Sequence, residues 1–349
     1  MHTTVILPFR PNPASPAASG EILTWVLHGY LSQQLASGHT MDVRVGIDGE
    51  EEPLPLSLPE DRRVTLHRLP HMGAAAVRNA LVQETSAETE LLVLGNADAR
   101  PEPDMVQQHA DAMKQLPPHS MVLGASPWER LNPTVLDTLI DNEPMIFSYC
   151  HMKPHRWYDF RCAYSLNLSV KRADYMAYGG FHDTMRPVYY EDLAFACRMI
   201  GPERKGVWHE PAARVLHRHP LALGPYLDRE ELLGLMAPVL HRLCPEAFAR
   251  IMANRDIQDI ARDFRARLAS DLSVYRQIFR RVVERFAQPS AVLGEGDARR
   301  LAIKAAYQLH IPLKLLAFRL GFLKGLELVD DACWRERQPA GLWRKIVEP

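Results

Sequence analysis

Apolar positions in the N-terminal part of the chain alternate between two textures. Short apolar runs stop at turn-forming residues, and between them apolar residues recur at helical spacing. Val5-Ile6-Leu7 reads as a short buried strand stopped by Pro8, and Pro11 to Gly20 reads as a loop. Glu21 to Ser37 carries Ile22, Leu23, Val26, Leu27, Tyr30 and Leu31 at the intervals of an amphipathic helix. Met41 to Ile47 alternates as a second strand and ends at Asp48-Gly49. Val64 to Leu69 is a third strand, Ala74 to Thr85 a helix, and Leu91 to Leu94 a fourth strand running into Asn96-Ala97-Asp98.

That succession predicts an α/β fold with an open, mostly parallel sheet flanked by helices. Ligands of such sheets bind beyond the carboxyl ends of the strands. The residues to watch are therefore Pro8-Phe9-Arg10, Asp48-Gly49 and Asn96-Ala97-Asp98. No glycine-rich phosphate loop follows the first strand, which argues against a dinucleotide dehydrogenase or a P-loop NTPase. From about Pro225 strand signals fade. Helical patterns take over at Glu230 to Leu243, Asp256 to Ala269, Val274 to Phe286 and Ala298 to Leu309, with a loop between Gln288 and Gly296. The expected division is an α/β domain over residues 1–224 and a helical region over residues 225–349.

Charge narrows the choice of partners. The 41 basic residues nearly cancel the 42 acidic ones, which argues against a general nucleic-acid binder. The five cysteines (Cys150, Cys162, Cys197, Cys244 and Cys333) form no CxxC pair, so reduced, buried thiols are expected. The opening segment lacks the basic region and long apolar stretch of a signal peptide, and no run reaches the roughly 18 apolar residues of a membrane span. A cytoplasmic protein is the expectation.

Three segments carry candidate chemistry. Asn96-Ala97-Asp98 at a strand mouth offers two oxygen donors suited to a hard divalent cation, although Asn and Asp are also ordinary turn formers. Glu191-Asp192 opens an apolar helix, where acidic residues are favoured by the helix dipole and where one carboxylate could act as a general base. Gly179-Gly180 allows a close backbone approach or a positive φ. His217 and His219 lie two residues apart on an extended segment and so point to one side, as a surface feature or as metal ligands.

Taken in this order, the motifs over residues 3 to 220 resemble the family 2 glycosyltransferases of GT-A fold. Val5 to Arg10 looks like that family's first strand and proline turn, and Val45 to Gly49 like its base-binding strand end. Gly73 to Ala80, with Arg78 and Asn79, is similar to the helix beside the donor, and Asn96-Ala97-Asp98 falls at the DxD position. Asn167 to Arg172, Gly179-Gly180-Phe181 and Glu191-Asp192 through Arg198 match the acceptor-side strand, the glycine pair and the "ED" helix. His217 falls where a histidine reaches the metal. Three departures stand out: Asn96 replaces the first acid of DxD, Ile47 replaces one acid after the second strand, and His182 replaces the aspartate of the GGFD pattern.

The resemblance implies inverting transfer of a sugar from a nucleotide-diphosphate donor to an acceptor hydroxyl, aided by Mn²⁺ or Mg²⁺. Asp98 would ligate the cation with Asn96 and His217. Asp192, or in its place Glu191, would be the base. Pro8, Phe9, Arg10, Asp48, Arg78, Asn79, Asn96, Ala97 and Asp98 would line the donor side, and Asn167, Gly179, Gly180 and Arg198 the acceptor side. The acceptor could be a saccharide, a lipid-linked saccharide or a peptide. A catalytically weak nucleotide-sugar binding module is the alternative, and a sugar-1-phosphate nucleotidyltransferase a more remote one. In the apolar stretch Ile311 to Val329, Lys314, Arg319 and Lys324 fall at steps of about 140° and Pro312 interrupts the segment. This favours packing on the catalytic domain or on a second subunit over peripheral contact with a membrane.

Overall fold

The computed structural model describes residues 1–12, 14–49, 58–130, 132–185, 189–219, 221–269, 272–328 and 341–348. Pro13, Val329 and Cys333 lie outside them. In chain order the elements begin with β1 (His2–Phe9), α1 (Pro16–Leu31), β2 (Thr40–Asp48), β3 (Val64–Leu69), α2 (Ala74–Gln83) and β4 (Thr89–Gly95). There follow β5 (Ala99–Pro101), α3 (Met105–Gln115), β6 (Met121–Ala125), α4 (Val135–Asn142), β7 (Trp157–Asp159), β8 (Asn167–Lys171), α5 (Arg172–Ala177), α6 (Glu191–Ile200) and β9 (Lys205–His217). The remainder is helical: α7 (Leu223–Leu243), α8 (Pro245–Ile251), α9 (Ile257–Leu268), α10 (Ser273–Phe286), α11 (Gly296–Leu328) and α12 (Arg344–Val347).

The chain divides into two compact units. The first comprises Met1–Glu129, Met152–Thr184 and Glu191–His219, and the second Arg130–His151, Met185–Tyr190 and Pro220–Pro349. The first holds a nine-stranded open sheet in the order β3-β2-β1-β4-β8-β6-β9-β5, with β7 pairing to β9. Strands β3, β2, β1 and β4 run parallel, as do β6 and β9, whereas β8, β5 and β7 enter antiparallel. The expected α/β architecture, an open sheet flanked by helices with a helical C-terminal region, is therefore the one found, and it matches a GT-A-like fold.

Helix α1 starts at Pro16, inside the stretch read as a loop. A proline in the first helical turn forfeits only an amide that has no intrahelical acceptor, so proline there starts a helix rather than breaking one. The apolar runs form the centre of the sheet, where Leu91, Leu92, Val93 and Leu94 are all fully buried. Gly46 on β2 lets α2 lie close: a Cβ there would sit 2.4 Å from Val77 Cγ1. That approach sets the position of Arg78 and Asn79, the next two residues of α2.

In the second unit α7 packs against α11 through glycines. A Cβ at Gly321 would lie 1.9 Å from the Glu231 carbonyl oxygen, and one at Gly234 2.0 Å from that of Phe318. Helix α11 runs unbroken through Pro312, contrary to the interruption expected from the sequence. The ring removes one amide donor, and packing of the flanking residues, such as buried His310 and Leu313, holds the helix across it. Lys314 approaches the buried Glu230 at 3.9 Å, and the Arg319 guanidinium lies over Phe264 at 5.7 Å. Among the described residues no helix is long and apolar enough to cross a membrane. Cys197 and Cys244 are buried as expected, but Cys150 is exposed and Cys162 half-buried.

Candidate active site

The turn that leaves β4 organises the site. The amide of Ala99 donates to the carbonyl of Asn96 at 3.1 Å, closing a tight turn over Asn96-Ala97-Asp98. The turn breaks the strand's alternation, and the two side chains expected to share one ion separate. The Asn96 amide oxygen accepts from Arg78 Nη2 at 2.7 Å. Asp98 turns to β9, where the Arg218 amide donates to its carbonyl at 2.8 Å and Ala99 pairs with His217.

That register brings the two histidines to one carboxylate. His217 Nε2 lies 3.3 Å from Asp98 Oδ1, and His219 Nδ1 lies 3.0 Å from Asp98 Oδ2. The donor atoms of Asp98, His217 and His219 all lie within 4.8 Å of one another. His219 thus joins Asp98 and His217, while the Asn96 amide oxygen faces Arg78. The two imidazoles stack at 5.6 Å, and Trp128 packs edge-on against both, 4.4 Å from His217 and 5.9 Å from His219. Alternation sends Arg218 the other way, to Glu129 at 2.6 Å and over the Trp25 ring at 4.1 Å. His217 Nδ1 is buried without a hydrogen-bond partner among the described residues, and Nε2 is the ring nitrogen that faces Asp98. Burial raises the Asp98 carboxyl, but hydrogen bonds and charge from His217 and His219 outweigh it and hold the group below the usual carboxylate range. One carboxylate and two imidazoles fit a divalent cation.

A second cluster forms around Arg78, which is 3% exposed. Its Nη1 lies 3.8 Å from Glu191 Oε1 at the start of α6, and its guanidinium lies over the Phe181 ring at 5.8 Å. Glu191 is 5% exposed. Burial, then the charge of Asp192, push its carboxyl up to about 8, with Arg78 opposing. Asp192 is raised by burial too, but its oxygens accept from the Ser165 amide at 3.1 Å and the Leu193 amide at 2.8 Å, both of which favour the ionised form. Of the two acids, Asp192 is the less buried.

Several side chains expected on the donor or acceptor side make hydrogen bonds within the protein. Asp48 accepts from the amides of Met72 and Gly73, at 2.6 and 3.1 Å, and from His71 at 3.1 Å, so it anchors the start of α2. Asn79 donates to the Phe181 carbonyl at 2.8 Å and accepts from Tyr175 and the Phe181 amide. It thereby holds the Gly179-Gly180 turn, where Gly180 has a φ of 62° and a Cβ would lie 2.6 Å from Asn79 Oδ1. Arg198 donates to the Gly180 carbonyl from the other side. Asn167 is 1% exposed, donates to the carbonyls of Ala125 and Ala213 and accepts from His109. At the end of β1, Phe9 is buried in the core, Pro8 half-buried and Arg10 exposed. The structure thus brings Asn96, Arg78, Glu191 and Asp192 together, and Asp98 with His217 and His219. It adds His219, whose only sequence signal is its two-residue spacing from His217.

No protein-family model matches the chain, and no curated protein matches it in sequence. Among solved structures the chain is similar to S. aureus TarS 1-349, with 14% identity over 94% of this chain and 92% of that one, at a TM-score of 0.46. It is also similar to a second S. aureus TarS structure, with 11% identity over 91% of this chain and 55% of that one, at a TM-score of 0.45.

Proposed function

We propose that the chain is an inverting glycosyltransferase, moving a sugar from a nucleotide-diphosphate donor to an acceptor hydroxyl, with catalysis in its first unit. The observation that carries this reading is the Asn96-Ala97-Asp98 turn. One side chain of the turn enters a divalent-cation donor set, and another enters the cluster that ends in the Glu191-Asp192 pair. Asn96 and Asp98 thus adjoin both the proposed cation set and, through Arg78, the start of the helix that carries the proposed base.

In this reading Asp98, His217 and His219 hold a divalent cation, which when bound neutralises charge building on the departing diphosphate. Asp192 takes the proton of the acceptor hydroxyl as that oxygen bonds to the anomeric carbon, whose bond to the diphosphate oxygen breaks. Arg78 holds Asn96 and faces Glu191, which fixes the start of α6 and hence the base. Glu191, with its raised carboxyl, serves as a proton-bearing neighbour to Asp192 rather than as a second base.

The test is nucleoside-diphosphate release across a panel of nucleotide sugars, with Mn²⁺ or with EDTA, for the wild type and Asp98→Ala. Metal-dependent release that disappears in the variant supports the transferase. Nucleotide binding without release, with saccharide, lipid-linked and peptide acceptors all supplied, shifts the reading to a binding module.

A further inference from the structure

Resting on that reading, we propose that His219 is a protein ligand of the cation and that the Asp98–His217–His219 set selects a transition-series divalent ion over Mg²⁺. The geometry carries the first part. His219 Nδ1 lies 3.0 Å from Asp98 Oδ2, and His217 Nε2 3.3 Å from Asp98 Oδ1, so the two imidazoles bracket a single carboxylate. The bracket is built, not incidental. The Arg218 amide is tied to the Asp98 carbonyl at 2.8 Å, which keeps both flanking histidines beside Asp98. Trp128, whose backbone pairs with His217, packs against both rings.

Donor chemistry carries the second part. Mg²⁺ demands oxygen ligands and is commonly held by one or two carboxylates together with substrate phosphates, whereas imidazole suits Zn²⁺ and its neighbours. With the Asn96 amide oxygen engaged by Arg78, the set found among the described residues is one carboxylate oxygen and two imidazole nitrogens. For a site so composed, affinity rises from Mn²⁺ toward Zn²⁺. The single carboxylate has a further consequence. A divalent ion held by one carboxylate keeps a net positive charge to offer an anionic diphosphate.

The experiment uses the full-length, metal-stripped protein with no nucleotide sugar present. Equilibrium dialysis with ZnCl2, MnCl2 and MgCl2 gives the affinities, and the visible absorption of the Co²⁺-loaded protein reports nitrogen ligation. The expected order is Zn²⁺ tighter than Mn²⁺ and Mn²⁺ tighter than Mg²⁺. His219→Ala should weaken Zn²⁺ binding by at least about 10–100-fold, the loss that even outer-shell changes cause, and alter the Co²⁺ spectrum. His219 is 49% exposed, so the variant should keep the wild-type circular dichroism and urea midpoint, which are measured alongside. Mg²⁺ binding as tightly as Zn²⁺, unchanged Zn²⁺ affinity in His219→Ala, or no ion bound at all each overturns the proposal. Because no donor is present, these outcomes stand apart from the release assay that judges the transferase.

Discussion

Arg78 and Glu191 face each other at 3.8 Å, both almost wholly buried, one from α2 and the other from the first turn of α6. Arg78 also donates to Asn96 at 2.7 Å, so one guanidinium ties the end of β4 to the start of the helix bearing the candidate base. Removing the guanidinium leaves the Asn96 amide oxygen without its donor, at a cost of about 1–3 kcal/mol. Arg78→Met is expected to lose stability of that order in urea denaturation. Arg78→Lys should recover only part of it, because a lysine cannot serve Asn96 and Glu191 through one planar fork.

The Glu191 carboxyl is raised from 4.5 to about 8, chiefly by burial. A carboxyl raised in the folded state binds a proton more tightly there than in the unfolded chain. Its contribution to stability is therefore full below 4.5 and is lost as pH rises through about 8. Urea midpoints measured across that window should decline with pH in the wild type. They should decline less steeply in Glu191→Gln, and parallel slopes in the two proteins would show that Glu191 is not the titrating group.

Asp192→Asn removes the base while leaving an oxygen able to accept from the Ser165 amide. A drop of about 10²–10⁴-fold in kcat is expected, with donor KM nearly unchanged. Equal activity in the variant would transfer the role away from Asp192.

Asp48 accepts from two backbone amides ahead of α2. Asp48→Ala should cost about 1.5–3 kcal/mol, the range for a hydrogen-bonded charged group. Hydrogen exchange of the amides of Met72 and Gly73 would accelerate if the anchor is lost as described.

Gly321→Ala places a methyl 1.9 Å from where the Glu231 carbonyl oxygen now lies, a group that belongs to rigid helix. Helices α7 and α11 must then move apart, with an expected loss of about 1–3 kcal/mol or more. A thermal melt unchanged from the wild type would contradict the close packing of these two helices.

Local pattern alone determined a good deal about this protein. Alternation and apolar runs predict β1, β2 and β4, because a strand buried on both faces must be apolar wherever its side chains point; β3, at the sheet edge, is half-exposed. Helical spacing predicts α7 and α9 to α11. The two-residue interval between His217 and His219 already places them on one side of an extended segment. What only the tertiary structure decided is which polar side chains remain for a ligand. Asn79, Asn167 and Asp48 are spent on protein partners far along the chain, and Asn96 parts from Asp98 because the strand ends in a turn at Gly95. Those partners are set by sheet register and by how closely α2 approaches β2. A buried polar group must satisfy its hydrogen bonds with whatever the fold brings near, and local sequence does not encode that distance.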